Sequence, residues 1–134
     1  MTPSRSWWKF VVWFGILGNW AFAVFALFVN PLKLLAALDL GSVNTTIWLV
    51  NYSVLLALLS CFYIPAANDP FRYRVNAWLL IFCRLIPAST FFVGVFTGFM
   101  PAGFLKLAVG DGAVGILELF LLRKILAEGD GKKG

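Results

Sequence analysis

Three ionisable side chains stand where the chain is otherwise apolar: Arg84 in AWLLIFCRLIP, and Asp111 and Glu118 in AVGDGAVGILELF. A charge at the centre of a spanning helix costs roughly 2.5–3.5 kcal/mol on insertion scales, so each needs a partner or a wet cavity. Arg84 lies roughly 14 Å into its apolar run at 1.5 Å per residue. Counted back from Arg123 in an antiparallel neighbour, Glu118 lies roughly 8 Å deep and Asp111 roughly 18 Å. Seven residues apart, the two acids share nearly one helix face, and Arg84 falls between them in depth. Three readings are open for this chemistry. An ion pair could simply fix how two helices dock, or the polar cluster could relay protons or anchor the polar head of a ligand. Alternatively, Arg84 and Glu118 could each reach the headgroups independently. Asn19 and Asn51 add polar points to two other apolar runs, where asparagines ordinarily hydrogen-bond a neighbouring helix.

What is missing narrows the chemistry. The chain has no histidine, the commonest ligand for haem, zinc and copper and the commonest general base. No metal or haem site and no catalytic residue is therefore expected. Cys61 and Cys83 lie in separate runs without CxxC spacing and read as buried free thiols.

Apolar runs of about twenty residues must position these groups, the length that crosses a hydrocarbon core of about 30 Å. Of the 134 residues, 61% are hydrophobic and 13% charged, against about 25% charged in a soluble domain. Four spans are predicted, at about 8–28, 45–63, 74–96 and 102–126, making one domain over residues 1–127. Trp7 and Trp8 mark a headgroup-level belt before the first span. A cleavable leader ending near Ala21-Phe22-Ala23 is the rival reading of that run, but the apolar character continues to Val29.

Asn30-Pro31 stops the first span and starts a short interfacial helix through Leu40, ended by Gly41-Ser42. Asn44 or Thr45 caps the second span and Pro65 closes it. Asn68-Asp69-Pro70 turns the chain into the third, where Pro87 is expected to produce a kink. Gly98 to Gly103 is a tight turn, and 128–134 is a flexible polar tail. Gly94 and Gly98 form a GxxxG pair, and Gly110, Gly112 and Gly115 thin one side of the fourth helix. These glycines suit close packing within the chain or between subunits, or room for a flat ligand.

The net charge of +5 is distributed at the ends of the runs, which speaks for topology and against nucleic acid. With four spans, one side holds Arg5, Lys9, Arg72, Arg74, Arg123, Lys124, Lys132 and Lys133, and the other only Lys33 and Lys106. The positive-inside rule then places both termini in the cytoplasm.

The turn Asp69-Pro70-Phe71-Arg72-Tyr73-Arg74, the later Arg84 and the Gly110-Asp111 step resemble the DoxX-like small four-helix bacterial membrane proteins. So do Leu17-Gly18-Asn19 and the leucine-rich segment after Asn30-Pro31. The resemblance implies an all-α, integral membrane four-helix bundle in the bacterial inner (cytoplasmic) membrane. It also implies a link to quinone-coupled sulfur oxidation or to redox-stress complexes.

Three functions compete at this point. The first is a partner-binding or accessory subunit of a membrane complex, in contact with the lipid bilayer and with other subunits or itself. A quinone- or lipid-linked redox component follows from the resemblance, with quinone or lipid as the bound molecule. A small multidrug-type transporter is the third, although such proteins place their essential carboxylate in helix one, where this chain has none.

Overall fold

The computed structural model describes residues 2–41 and 46–130. Among these the fold is all-helical, with α1 at Pro3–Val24, α2 at Pro31–Leu38, α3 at Ile47–Asn68, α4 at Arg74–Phe96 and α5 at Phe104–Asp130. A π-helical turn, Phe25–Val29, prolongs α1. Three stretches are long and apolar enough to cross a membrane: Pro3–Val29, Ile47–Asn68 and Arg74–Phe96. At 1.5 Å per residue they reach about 33–40 Å, more than a hydrocarbon core. Their outer faces carry Phe10, Phe62, Ile86 and Phe96, each more than 60% exposed. Such continuous apolar exposure marks the chain as a membrane protein.

The start and stop signals work through specific atoms. Pro3 opens α1 and Pro31 opens α2, each where a missing N–H is not needed. The Asn30 side chain accepts from Lys33 N at 3.0 Å and so satisfies one of the free donors of the α2 first turn. Between α3 and α4, Asp69 Oδ1 accepts from Phe71 N and Arg72 N, both at 3.2 Å, which shapes the turn. Gly98 closes α4 at φ +73°, a left-handed conformation that costs a side chain strain.

Several expectations are corrected. Trp8 is not part of an aromatic belt: it is fully buried and donates to Ala66 O at 2.9 Å, while Trp7 alone is exposed. Pro65 does not close α3, which runs on to Asn68; so close to the helix end, one lost backbone bond is tolerated. Gly94 and Gly98 do not form a packing pair within the chain. Gly94 is covered by Met100, whose Sδ would lie 2.7 Å from an added Cβ, and Gly98 has open space around it. Nor does the tail begin at Glu128. The helix α5 continues to Asp130, and Glu128 Oε1 accepts from Ser4 Oγ at 2.7 Å. The cap assigned to Asn44 or Thr45, Ser42 and residues 131–134 lie outside the described residues.

The four long helices pack as a ring in the order α1, α3, α4, α5, with α4 on α5 and α1 on α3 as the broadest interfaces. At one end, Ser4 meets Glu128 and Arg5 lies 3.7 Å from Asp69. At the other end, Gly103 sits directly against the carbonyls of Leu38 and Asp39, and Gly41 lies beside Pro101. The start of α1, the α3–α4 turn and the end of α5 therefore share one end of the molecule. Trp8, Val12, Ile16, Leu80, Ile81 and Leu122 fill the core at that end. Since lipid tails are as apolar as these side chains, close packing and interhelical hydrogen bonds hold the ring together. Trp8 to Ala66, Asn19 to Ser60 and Asn76 to Phe62 O are such bonds.

Candidate functional site

The helix α4 turns Arg84 inward, where 5% of the residue is exposed. Its guanidinium spans both acids of α5. Nη1 donates to Asp111 Oδ1 at 3.0 Å, and Nε donates to Glu118 Oε1 at 3.2 Å. Glu118 Oε2 stands 3.1 Å from the same nitrogen, off the line of its N–H. The seven-residue spacing puts both acids on nearly one face of α5, about 10.5 Å apart along the axis, and their side chains converge on the guanidinium from either side. Glu118 is completely buried, whereas 33% of the Asp111 side chain is exposed.

Close approach of the backbones makes the site possible. A Cβ on Gly115 would meet Leu85 Cδ2 at 2.9 Å and Arg84 Cβ at 3.2 Å, so this glycine lets α5 lie on α4. A Cβ on Gly15 of α1 would occupy the position of Arg84 Nη2. The absence of a side chain there is what gives the guanidinium its seat.

One donor is left over. Among the described residues, Arg84 Nη2 is buried and has no hydrogen-bond partner, an arrangement that ordinarily costs 1–3 kcal/mol or more for a charged group. Arg84 also forms part of the wall of a cavity of about 280 Å³. Phe14, Phe22, Leu56, Leu107 and Val114 supply apolar walls, and Asn19, Tyr52, Lys106 and Asp111 supply polar points. This volume is at the small end of the roughly 300–1,000 Å³ usual for small-molecule sites. It suits a head group rather than a whole long-chain molecule.

Of the five residues expected in a polar cluster, Arg84, Asp111 and Glu118 come together and Asn19 lines the cavity beside them. Asn19 Nδ2 donates to Ser60 Oγ at 2.9 Å, so it also ties α1 to α3. Asn51 does not join the cluster. It is exposed on α3, on the turn that carries its neighbour Tyr52 into the cavity wall instead. The independent-snorkelling alternative is excluded by the two Arg84 hydrogen bonds.

Sequence reasoning missed Gly15, Tyr52 and Lys106 as parts of the site. Lys106 enters the sequence reading only through the distribution of basic residues. No family model matches this chain, and no curated protein or solved structure matches it.

Proposed function

We propose that this chain is a four-span protein of a bacterial inner membrane that holds the polar head of an amphiphile, a lipid or a quinone, against Arg84. The observation that carries this reading is the buried Arg84 guanidinium, held by two acids, in the wall of an apolar-walled cavity. A guanidinium already pinned by two acids offers fixed N–H donors to a carbonyl or hydroxyl oxygen at no further ordering cost. The bacterial inner membrane and the quinone rest on the resemblance to DoxX-like proteins. No reaction is assigned.

The fourth span in this reading is α5, which carries too much charge to qualify on composition. Its two acids are spent on Arg84, and the surface it leaves exposed is apolar: Val109, Ile116, Leu117 and Phe120. Lys106 and Arg123 bracket that band, about 25 Å apart along the helix. The cytoplasmic placement of both termini follows from the basic residues together with their shared end of the ring. Single cysteines placed at Asp69 and at Gly98, in a chain freed of Cys61 and Cys83, are expected to react with an impermeant maleimide from opposite sides. Labelling of both from one side refutes the four-span arrangement.

The site itself is tested by what stays bound. Chain extracted from native membranes in mild detergent is expected to retain a stoichiometric small amphiphile by native mass spectrometry, and Arg84→Leu to lose it. Wild-type chain that flies bare under conditions retaining annular lipid sinks the reading.

A second reading, an accessory subunit, is favoured by a groove on the outside of α4. Ser89, Thr90, Gly94 and Thr97 line it together with the larger Val93, Phe99 and Met100. Both threonine hydroxyls are satisfied within their own helix, so the groove offers a partner helix small and apolar side chains to pack on. A stoichiometric protein recovered with the chain, and lost on Ser89→Phe, is the outcome this reading requires.

A further inference from the structure

The position of the cavity mouth says how a ligand arrives and what head it carries. The cavity-lining residues that are exposed are Phe14 and Gly18 of α1 and Lys106 and Gly110 of α5. The mouth therefore lies between α1 and α5. Gly18 and Gly110 both border it, and no neighbouring group stands within 4 Å of where a Cβ would be on either. Neither glycine is needed for helix packing, in contrast to Gly15, Gly103 and Gly115, whose added Cβ atoms would collide with neighbours. Each costs its helix up to about 1 kcal/mol relative to alanine. What the two glycines leave is an opening.

That opening is deep in the membrane. Along α1, Gly18 stands about 14 Å from Lys9, and along α5, Gly110 stands about 20 Å from Arg123. Both depths fall within a hydrocarbon core about 30 Å thick, with Gly110 about 6 Å from Lys106 along α5.

We infer that a neutral-headed amphiphile enters this cavity sideways from the bilayer, between α1 and α5, through a portal kept open by Gly18 and Gly110. The inference rests on the amphiphile-binding reading and specifies its ligand and route. Two observations fix the head as neutral. A formally charged head would have to be carried into the hydrocarbon, which is expensive. The cavity's own charges also leave no surplus to receive one. Arg84 and Lys106 bring two positive charges, Asp111 faces them within the cavity, and Glu118 lies sealed behind the guanidinium. An anionic head would meet Asp111, and a cationic head would meet Arg84. A neutral head bearing a carbonyl or hydroxyl oxygen for the Arg84 guanidinium is compatible with both, and a hydroxyl can in addition donate to Asp111. A glyceride carries both groups and a quinone the accepting oxygen alone, and the tail of either would remain in the bilayer outside the portal.

The test uses the purified full chain in detergent, titrated with monododecanoylglycerol, a decyl-substituted benzoquinone, dodecanoate and dodecylammonium. Binding is followed by native mass spectrometry and unfolding by thermal shift. At least one neutral probe is expected to bind one-to-one, and the stronger of the two identifies the source. Gly18→Leu and Gly110→Leu are expected to weaken it roughly tenfold or more without lowering the Tm of the ligand-free chain. Leu56→Trp, which fills the cavity from α3, serves as the control for occupancy of the cavity. If Leu56→Trp abolishes binding and both portal variants bind as wild type, the route is wrong while the site stands. Tighter binding of dodecanoate or dodecylammonium than of either neutral probe overturns the neutral-head assignment. If no probe binds, or if Leu56→Trp binds them unchanged, the amphiphile site itself fails and the inference falls with it.

Discussion

A chain that keeps Arg84 but carries leucine at both Asp111 and Glu118 is expected to lose more stability than any other variant of this triad. Arginine cannot give up its proton, so the double replacement leaves a full charge buried without a partner, a loss of about 3–5 kcal/mol. Replacing one acid leaves a one-to-one pair and a smaller loss. Between the two, Glu118→Leu is expected to be the worse. Nε would have no alternative acceptor in a sealed position, whereas the Asp111 end of the guanidinium adjoins the cavity. Arg84→Leu is expected to be milder than the double-acid variant, because stranded carboxyls can take up protons. Replacing all three by leucine should recover much of the loss, since well-packed apolar side chains often substitute for buried ion pairs without penalty. Thermal unfolding in detergent across this set checks the order. Strictly additive losses would mean that the three residues do not interact.

Gly15→Leu is the second substitution with a large expected effect, although Gly15 carries no charge and makes no hydrogen bond through a side chain. Its new Cβ would stand where Arg84 Nη2 now sits. The guanidinium would have to swing away from α1, and the Nη1 bond to Asp111 would lengthen or break. Overpacking of a filled site typically costs 1–3 kcal/mol, and the disturbed ion pairs add to it. The diagnostic is coupling. In an Arg84→Leu background the obstacle is shortened, so the added cost of Gly15→Leu is expected to shrink by more than about 0.5 kcal/mol, the limit of ordinary additivity. An identical cost in both backgrounds would mean that the glycine is not there for the arginine. Gly18→Leu, one turn away with open space around it, is the matched control and should leave the melting temperature unchanged.

The sequence made much of this architecture legible because its signals were local. Asn30-Pro31, the Asp69-Pro70 turn and the glycine at 98 each act within a few residues, and the helix over 74–96 begins and ends where its pattern predicts. The triad was legible for a different reason. Charges are so costly within apolar runs that Arg84, Asp111 and Glu118 had to find one another or water. What the sequence could not supply was the facing of one helix on another. Trp8 reads as a belt residue beside Trp7, and only the docking of α1 on α3 shows that it reaches the Ala66 carbonyl. Asn19 and Asn51 are the same residue type in similar runs, yet one faces the ring interior and the other faces out. The glycines posed the same problem: Gly94 and Gly98 matched a packing motif, but within the chain Gly94 is covered by Met100 and Gly98 ends a helix. Gly15, in an unremarked position, seats the guanidinium. Helix rotation decides each of these, and α3 has too uniformly apolar a surface to reveal its rotation in advance.

The central claim is that a head group occupies the space beside Arg84, and photo-crosslinking in native membranes tests it most directly. A monoacylglycerol and an alkylquinone, each with a diazirine on the first carbons of its tail, would be equilibrated with membranes and irradiated. The labelled residues are then mapped by peptide sequencing. Adducts should concentrate on Phe14, Phe22, Leu107 and Val114 for at least one probe, and Leu56→Trp should abolish them. Labelling spread over the outer faces of the helices, at Phe62, Phe96 and Ile116, and unchanged by Leu56→Trp, would contradict it.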